Sequence, residues 1–235
     1  FSSLDNEKVL IKRLVDELAC LGENPPTRDE VARAVNKACK ERQEYKKDIR
    51  RRGEQALSYI KKNNKKGIVL CGKPYHVDPE INHGIADLIT SYGLAVLTED
   101  SICHMTKLKH KLRVVDQWVY NSRLYRAATL VTEEPCLELV QLNSFGCGLD
   151  AVTSDQLEEL LATAGKMYTM LKIDEGNNLG AAKIRIRSLK AAMKEGNNKK
   201  KFKYRYRSYK NSIFKKEMKN THTILAPQMA PIHFE

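Results

Sequence analysis

Four short apolar runs constrain this chain more than any other feature. They are Ile68 to Leu70 with Cys71 behind it, Leu94 to Leu97, Leu137 to Leu142, and Tyr168 to Ile173. Each has strand length, and each is separated from the next by a stretch with helical apolar spacing. Those stretches are Ile81 to Tyr92, Leu112 to Val131 with mixed periodicity, and Val152 to Ala164. Ala181 to Met193 follows the last run. Parallel neighbours need crossovers of a dozen or more residues, whereas hairpins need only a few. The pattern therefore predicts an α/β fold: a Rossmann-like parallel sheet of about four strands flanked by helices. Gly93 and Gly165 are placed as helix stops.

Ahead of this sheet lies a helical segment. Leu4, Val9, Leu10, Leu14, Val15 and Leu18 share one helical face, and Gly22, Pro25 and Pro26 end it. Thr27 and Glu30 then form a capping box. Val31, Val35, Ala38, Tyr45, Ile49, Ala56 and Ile60 continue as an apolar seam to about Lys62, read as one long helix with Gly53 as a candidate break; a coiled-coil arm is the alternative, though the seam is poor in Leu. Three regions result: a helical segment at 1–66, the α/β domain at 67–195, and a basic linker with the start of a following domain at 196–235. The chain reads as a piece of a longer polypeptide.

Composition narrows the class. No apolar run approaches the ~20 residues that span a bilayer, so no membrane partner is expected and the location is read as cytoplasmic. The cysteines at 20, 39, 71, 103, 136 and 147 form no C-x-x-C pair, which points to reduced thiols rather than a disulfide framework. The net charge of +12 is concentrated: Lys199 to Lys219 holds ten Lys/Arg and one Glu. Basic and aromatic residues interleave there, but no nucleic-acid-binding signature accompanies them. A solvated linker is the preferred reading, and nucleic acid is not expected as a partner.

Parallel strands share one C-terminal edge, where open α/β sheets place their ligands. Three groups of residues fall there. Gln141-Leu-Asn-Ser-Phe-Gly-Cys-Gly-Leu-Asp150 is a strand end, a glycine-flanked turn and a helix start. Cys147 at its tip is either a metal or iron–sulfur thiolate (or a reactive thiol), or a small residue packed in a turn. Gly72-Lys-Pro-Tyr-His76, with Asp78, Asn82 and His83, follows the first strand. Lys73, Tyr75, His76, Asn82 and His83 are pocket candidates for an anionic ligand, against the plainer reading of a polar, helix-capping loop. Glu99-Asp100 and Asp174-Glu175 follow strands. Acid/base work is one reading; capping or solvation is preferred. Glu99 and Asn143 complete the pocket set. Asp116, Arg123 and Arg126 share helical spacing and are expected to form a surface ion pair.

Ile68-Val-Leu-Cys-Gly-Lys-Pro-Tyr-His-Val-Asp-Pro-Glu-Ile-Asn-His-Gly84 carries a family resemblance. So do Val115-Asp-Gln-Trp118, Leu139 to Ala151, and Lys172 to Gly180. Over most of residues 1–194 the chain resembles large multidomain bacterial proteins that are activase-related to 2-hydroxyacyl-CoA dehydratase. These join ATP-dependent activase domains to a dehydratase-like module. Thr223 to Glu235 resembles the start of their next segment. More distantly, the chain is similar to the cluster-bearing subunits of 2-hydroxyacyl-CoA dehydratases and benzoyl-CoA reductases. Cys147 falls at their cysteine ligand. Glu175 and Arg185 or Arg187 fall near their later acidic and basic positions. The resemblance implies a [4Fe–4S] cluster in the parent protein, with further ligands outside this chain. It also implies low-potential electron transfer from an ATP-dependent activase, anaerobic metabolism, and an acyl-CoA or small-molecule substrate. A non-catalytic scaffold or docking module is the alternative.

Overall fold

The computed structural model of the chain describes residues 6–21, 24–109, 112, 116, 118–144, 148–173, 179–195 and 215–223. Helices α1 (Glu7–Leu18) and α2 (Arg28–Lys62) come first. Asn6 caps α1 by accepting from the Val9 N–H. The capping box of α2 forms as its sequence predicts. The Glu30 N–H donates to Thr27 Oγ1 at 3.3 Å, and the Thr27 N–H donates to Glu30 Oε2 at 2.9 Å.

The expected long helix forms, and the candidate break at Gly53 does not interrupt it: α2 runs for 35 residues. Gly53 is a contact rather than a stop. A Cβ there would lie 2.2 Å from the Ser101 carbonyl oxygen, so glycine lets α2 press its backbone onto helix α5 (Glu99–Ile102).

The sheet comprises β1 (Gly67–Cys71), β2 (Ala95–Thr98), β3 (Leu137–Ser144) and β4 (Tyr168–Ile173), in the order β2-β1-β3-β4. All three pairings are parallel: Val69 faces Leu97 and Leu139, and Gln141 faces Met170. Alternating residues build the two layers. On one face Val69, Cys71, Leu137 and Leu139 pack against Leu57 and Ile60 of α2. Leu124 and Tyr125 of α6 (Val119–Glu133) and Leu157 and Leu160 of α7 (Gly148–Thr163) complete that cluster. On the other face Ile68, Leu70, Val140 and Leu142 pack against Ile85 and Ile89 of α4 (Ile85–Ser91). Ala182, Ile186 and Leu189 of α8 (Gly180–Glu195) join them there. Strands covered on both faces read as continuous apolar runs, which is why periodicity exposed them so clearly.

Gly93 and Gly165 end their helices with φ of 75° and 68°. One expected helix is divided. Ile81 to Tyr92 splits into α3 (Pro79–Asn82) and α4, because His83 and Gly84 both adopt left-handed φ, 53° and 75°. The Asn82 side chain holds that break: its amide donates to the His76 carbonyl at 3.2 Å, and its oxygen accepts from the Gly84 N–H at 2.9 Å. The helix expected over Leu112 to Val131 begins later, at Val119. Cys147, Asp174, Glu175, the basic run 199–214 and residues 224–235 lie outside the described residues.

Candidate functional site

In this strand order the connections from β1 and β3 leave in opposite directions. The topological switch point therefore falls between those two strands, at their C-terminal ends. The chain places polar side chains there from four separate elements.

The loop after β1 supplies the first. Gly72 is buried and followed by Lys73. The backbone N–H of Lys73 donates to His76 Nδ1 at 2.9 Å, and His76 Nε2 lies 3.0 Å from Ser144 Oγ at the end of β3. Because Nδ1 accepts from a backbone N–H, the neutral ring carries its proton on Nε2 and donates it to Ser144. His76 is 1% exposed. Burial lowers its pKa, Asp150 pulls it upward, and Lys73 lowers it further, the net being a fall. A neutral imidazole in this tautomer cannot take the serine proton, so His76 ties two loops together and does not activate Ser144 as a nucleophile. Gly72 makes the tie possible, since a Cβ there would meet His76 Nδ1 at 2.4 Å. Tyr75 stacks edge-on against the His76 ring, with its hydroxyl 3.3 Å from Ser144 Oγ.

The Lys73 ammonium turns inward. It meets Asp150 Oδ1 at 2.9 Å and reaches Asn121 Oδ1 at 3.5 Å. Asp150, in the first turn of α7, is 2% exposed. The Asn121 amide donates to Thr153 Oγ1 at 2.6 Å. The loop after β1, the start of α6 and the start of α7 are thus joined by one buried polar network. Asn143 lies on the same edge of β3. Its amide donates to Met170 Sδ at 3.2 Å, and its buried Oδ1 has no hydrogen-bond partner.

A second buried pair lies beyond α6. Glu99, directly after β2, is 4% exposed and accepts from Arg123 Nη2 at 3.2 Å. Burial pushes the Glu99 carboxyl up to about 7; Arg123 opposes this and Asp100 adds to it. The expectation of a solvated Glu99 is therefore corrected: its carboxylate sits inside. The expected surface pairing of Asp116 with Arg123 is also corrected. Arg123 turns to Glu99 and stacks over Tyr120, while Asp116 accepts from Ser122. Asp100 accepts from Thr98 Oγ1 at 2.6 Å.

Lys73, Tyr75, His76 and Asn82 therefore share one loop network, and Asn143 lies beside it. Glu99 stands apart, across α6. His83 occupies the left-handed turn between α3 and α4. Cys147 lies outside the described residues; Ser144 ends β3 at the His76 contact, and Gly148 opens α7. Asp150, Asn121, Thr153 and Ser144 join the candidate site though periodicity did not single them out, and Arg123, noted for its helical spacing, turns inward. Asp150 left the clearest trace, as an acid in the first turn of the helix after the glycine-flanked loop.

Several large apolar side chains remain exposed along this same edge. Tyr75 and Val77 follow β1, and Trp118, Val119 and Tyr120 open α6. Two cysteines lie buried near the site, Cys71 in β1 and Cys103 after α5. Burial raises the Cys71 and Cys103 thiols, and the charge of Glu99 raises both further. Among the described residues no three His, Cys, Asp or Glu side chains group to hold a metal ion. No helix among them is long and apolar enough to cross a membrane.

The architecture and this edge define an open parallel α/β protein with a polar, apolar-rimmed site at its switch point. Residues 1–102 match a family model described as "CoA enzyme activase uncharacterised domain (DUF2229)". That span runs from α1 through α5. The resemblance to activase-related proteins is borne out at that level, and links the chain to an activase system. No curated protein and no solved structure matches the chain.

Proposed function

We propose that this chain is the part of an activase-coupled CoA-enzyme system that presents the C-terminal edge of its sheet to a redox or acyl-CoA-binding partner region. The observation that carries this reading is the convergence at the switch point. Lys73, Asp150, Asn121 and Thr153 lock the segments around the end of β3, while aromatic side chains stand exposed on the rim. A locked floor with an apolar rim suits a surface that another domain covers.

In the finer reading, Cys147 supplies one thiolate to a [4Fe–4S] cluster of the parent protein. The module then passes a low-potential electron, delivered by an ATP-dependent activase, toward an acyl-CoA or other small-molecule substrate. Burial disfavours the Cys71 and Cys103 thiolates, and the other ligands in this reading come from elsewhere in the parent. The experiment is anaerobic purification of the parent protein, with iron analysis and electron paramagnetic resonance, for wild type and Cys147→Ala. Loss or alteration of the cluster signal in the variant supports the ligand role; unchanged iron and spectrum sink it. The present chain alone should hold no stoichiometric iron.

A second reading has its own observation. The His76 tautomer leaves Ser144 without a general base, and the edge is rich in exposed aromatics. A docking module without chemistry of its own fits both facts. A parent protein free of iron but losing interdomain association on Trp118→Ala would favour it.

A further inference from the structure

Helix α2 belongs to two bodies. At its start Val31 and Val35 are buried where α1 lies against it. At its end Gly53, Leu57 and Ile60 are buried against α5 and the sheet. These residues share one stripe of the helix, because steps of three and four return to the same face. The stripe does not stop between them: Cys39, Arg42, Lys46, Ile49 and Arg50 continue it. No element of the described chain buries this middle part. From Asn36 to Lys47 only Cys39 is not fully exposed, and Tyr45 beside the stripe is 61% exposed. From Val35 to Gly53 α2 rises about 27 Å, more than twice the ~10–12 Å breadth of a helix. The result is an open notch between α1 and the α/β body, floored by α2.

The charge of the floor indicates what fits it. Residues 36–52 hold eight Lys/Arg against three Asp/Glu. Glu44 is spent on Lys47, and Asp48 on Arg51 and Arg52. Lys46 and Arg50 sit on the stripe itself, flanking half-buried Ile49. We infer that this notch docks an amphipathic helix of a partner protein, whose contact face alternates apolar and acidic residues. A second copy of the chain is disfavoured by its own net charge of +12. Nucleic acid is disfavoured because Ile49, Tyr45 and Cys39 offer apolar surface, and Glu41, Glu44 and Asp48 would face the phosphates.

The test uses the whole chain and a fluorescent helical peptide of leucine and glutamate at amphipathic spacing, titrated by anisotropy. Saturable binding that weakens at least tenfold in the double variant Lys46→Glu/Arg50→Glu is expected. A leucine–lysine peptide should reverse that preference, binding the double variant and not the wild type. Both substitutions are on exposed positions, so an unchanged circular dichroism melt keeps the comparison clean. The inference is overturned by absence of saturable binding, by equal binding to wild type and double variant, or by tighter binding of a DNA duplex than of the acidic peptide. Self-association of the chain that the double variant abolishes would equally overturn it.

Discussion

Two buried ion pairs flank α6, and they are built differently. Asp150 is held by Lys73 within a network that also engages Asn121 and Thr153. Glu99 has one ion-pair contact, at 3.2 Å, from an arginine whose Nε is itself buried without a hydrogen-bond partner. Exposure does not separate the two carboxylates, which are 2% and 4% exposed. Partnership does. Burial wins at Glu99 and drives its carboxyl up to about 7 despite the arginine. Each carboxylate meets one cation, but Lys73 is itself held by Asn121 and sits closer, whereas the Arg123 Nε is buried without a hydrogen-bond partner.

The largest effect expected from breaking this contrast is at Lys73. Lys73→Ala leaves the buried Asp150 carboxyl without its cation, and should cost about 3–5 kcal/mol in urea unfolding. A loss below about 1 kcal/mol would mean that the network is not coupled to folding. The second effect is a pH slope. The folded Glu99 carboxyl holds its proton up to about 7, against 4.5 for the ordinary group, so stability falls as pH rises through that window. The full fall is on the order of 3 kcal/mol if the whole shift is realised. His76, whose folded pKa is lowered, contributes stability that is present above its ordinary 6.5 and lost as pH falls below it. Comparing urea midpoints of wild type and Glu99→Gln from pH 5 to 8 isolates the glutamate; parallel curves would refute its assignment.

Third, Arg123→Met should cost less than Lys73→Ala at pH 6, about 1–2 kcal/mol, because Glu99, whose carboxyl is raised to about 7, takes up a proton when its cation is removed, and because Lys73 also holds Asn121. Equal losses at the two sites would erase the distinction. The smallest effect belongs to the exposed helix pairs. Asp48→Ala removes the partner of Arg51 and Arg52 on the surface of α2, and should leave the thermal midpoint within experimental scatter.

The sheet was legible because β1, β3 and their neighbours are apolar on both faces, and because glycines mark helix ends at Gly93 and Gly165. The edge carrying the pocket candidates followed from parallel strands alone. What the pattern could not supply was strand order. Without knowing that β1 lies beside β3, nothing joins Lys73 to Asp150 across 77 positions. Gly53 misled for a related reason: a helix-weakening residue and a close-packing residue are the same letter, and only Ser101 tells them apart. Glu99 misled because a carboxylate after a strand is usually wet. Arg123, 24 residues on, is what lies against it inside. The break at His83 and Gly84 depends on the Asn82 side chain and a carbonyl six residues back, a contact that no helical periodicity records.

The place of β1 also sets a schedule. It is a central strand, and one of its two neighbours, β3, lies about seventy residues later in the chain. The family-matched span, residues 1–102, holds β1 and β2 but not β3. Cut at that boundary, the chain would show a bare row of peptide groups along β1, beside Val69 and Cys71 stripped of much of their cover. A ribosome adding about 5–20 residues per second needs roughly 4 to 14 seconds to supply the missing neighbour. During that interval the nascent strand is adhesive, and the matched span by itself holds only one of the two neighbours that β1 has in the sheet.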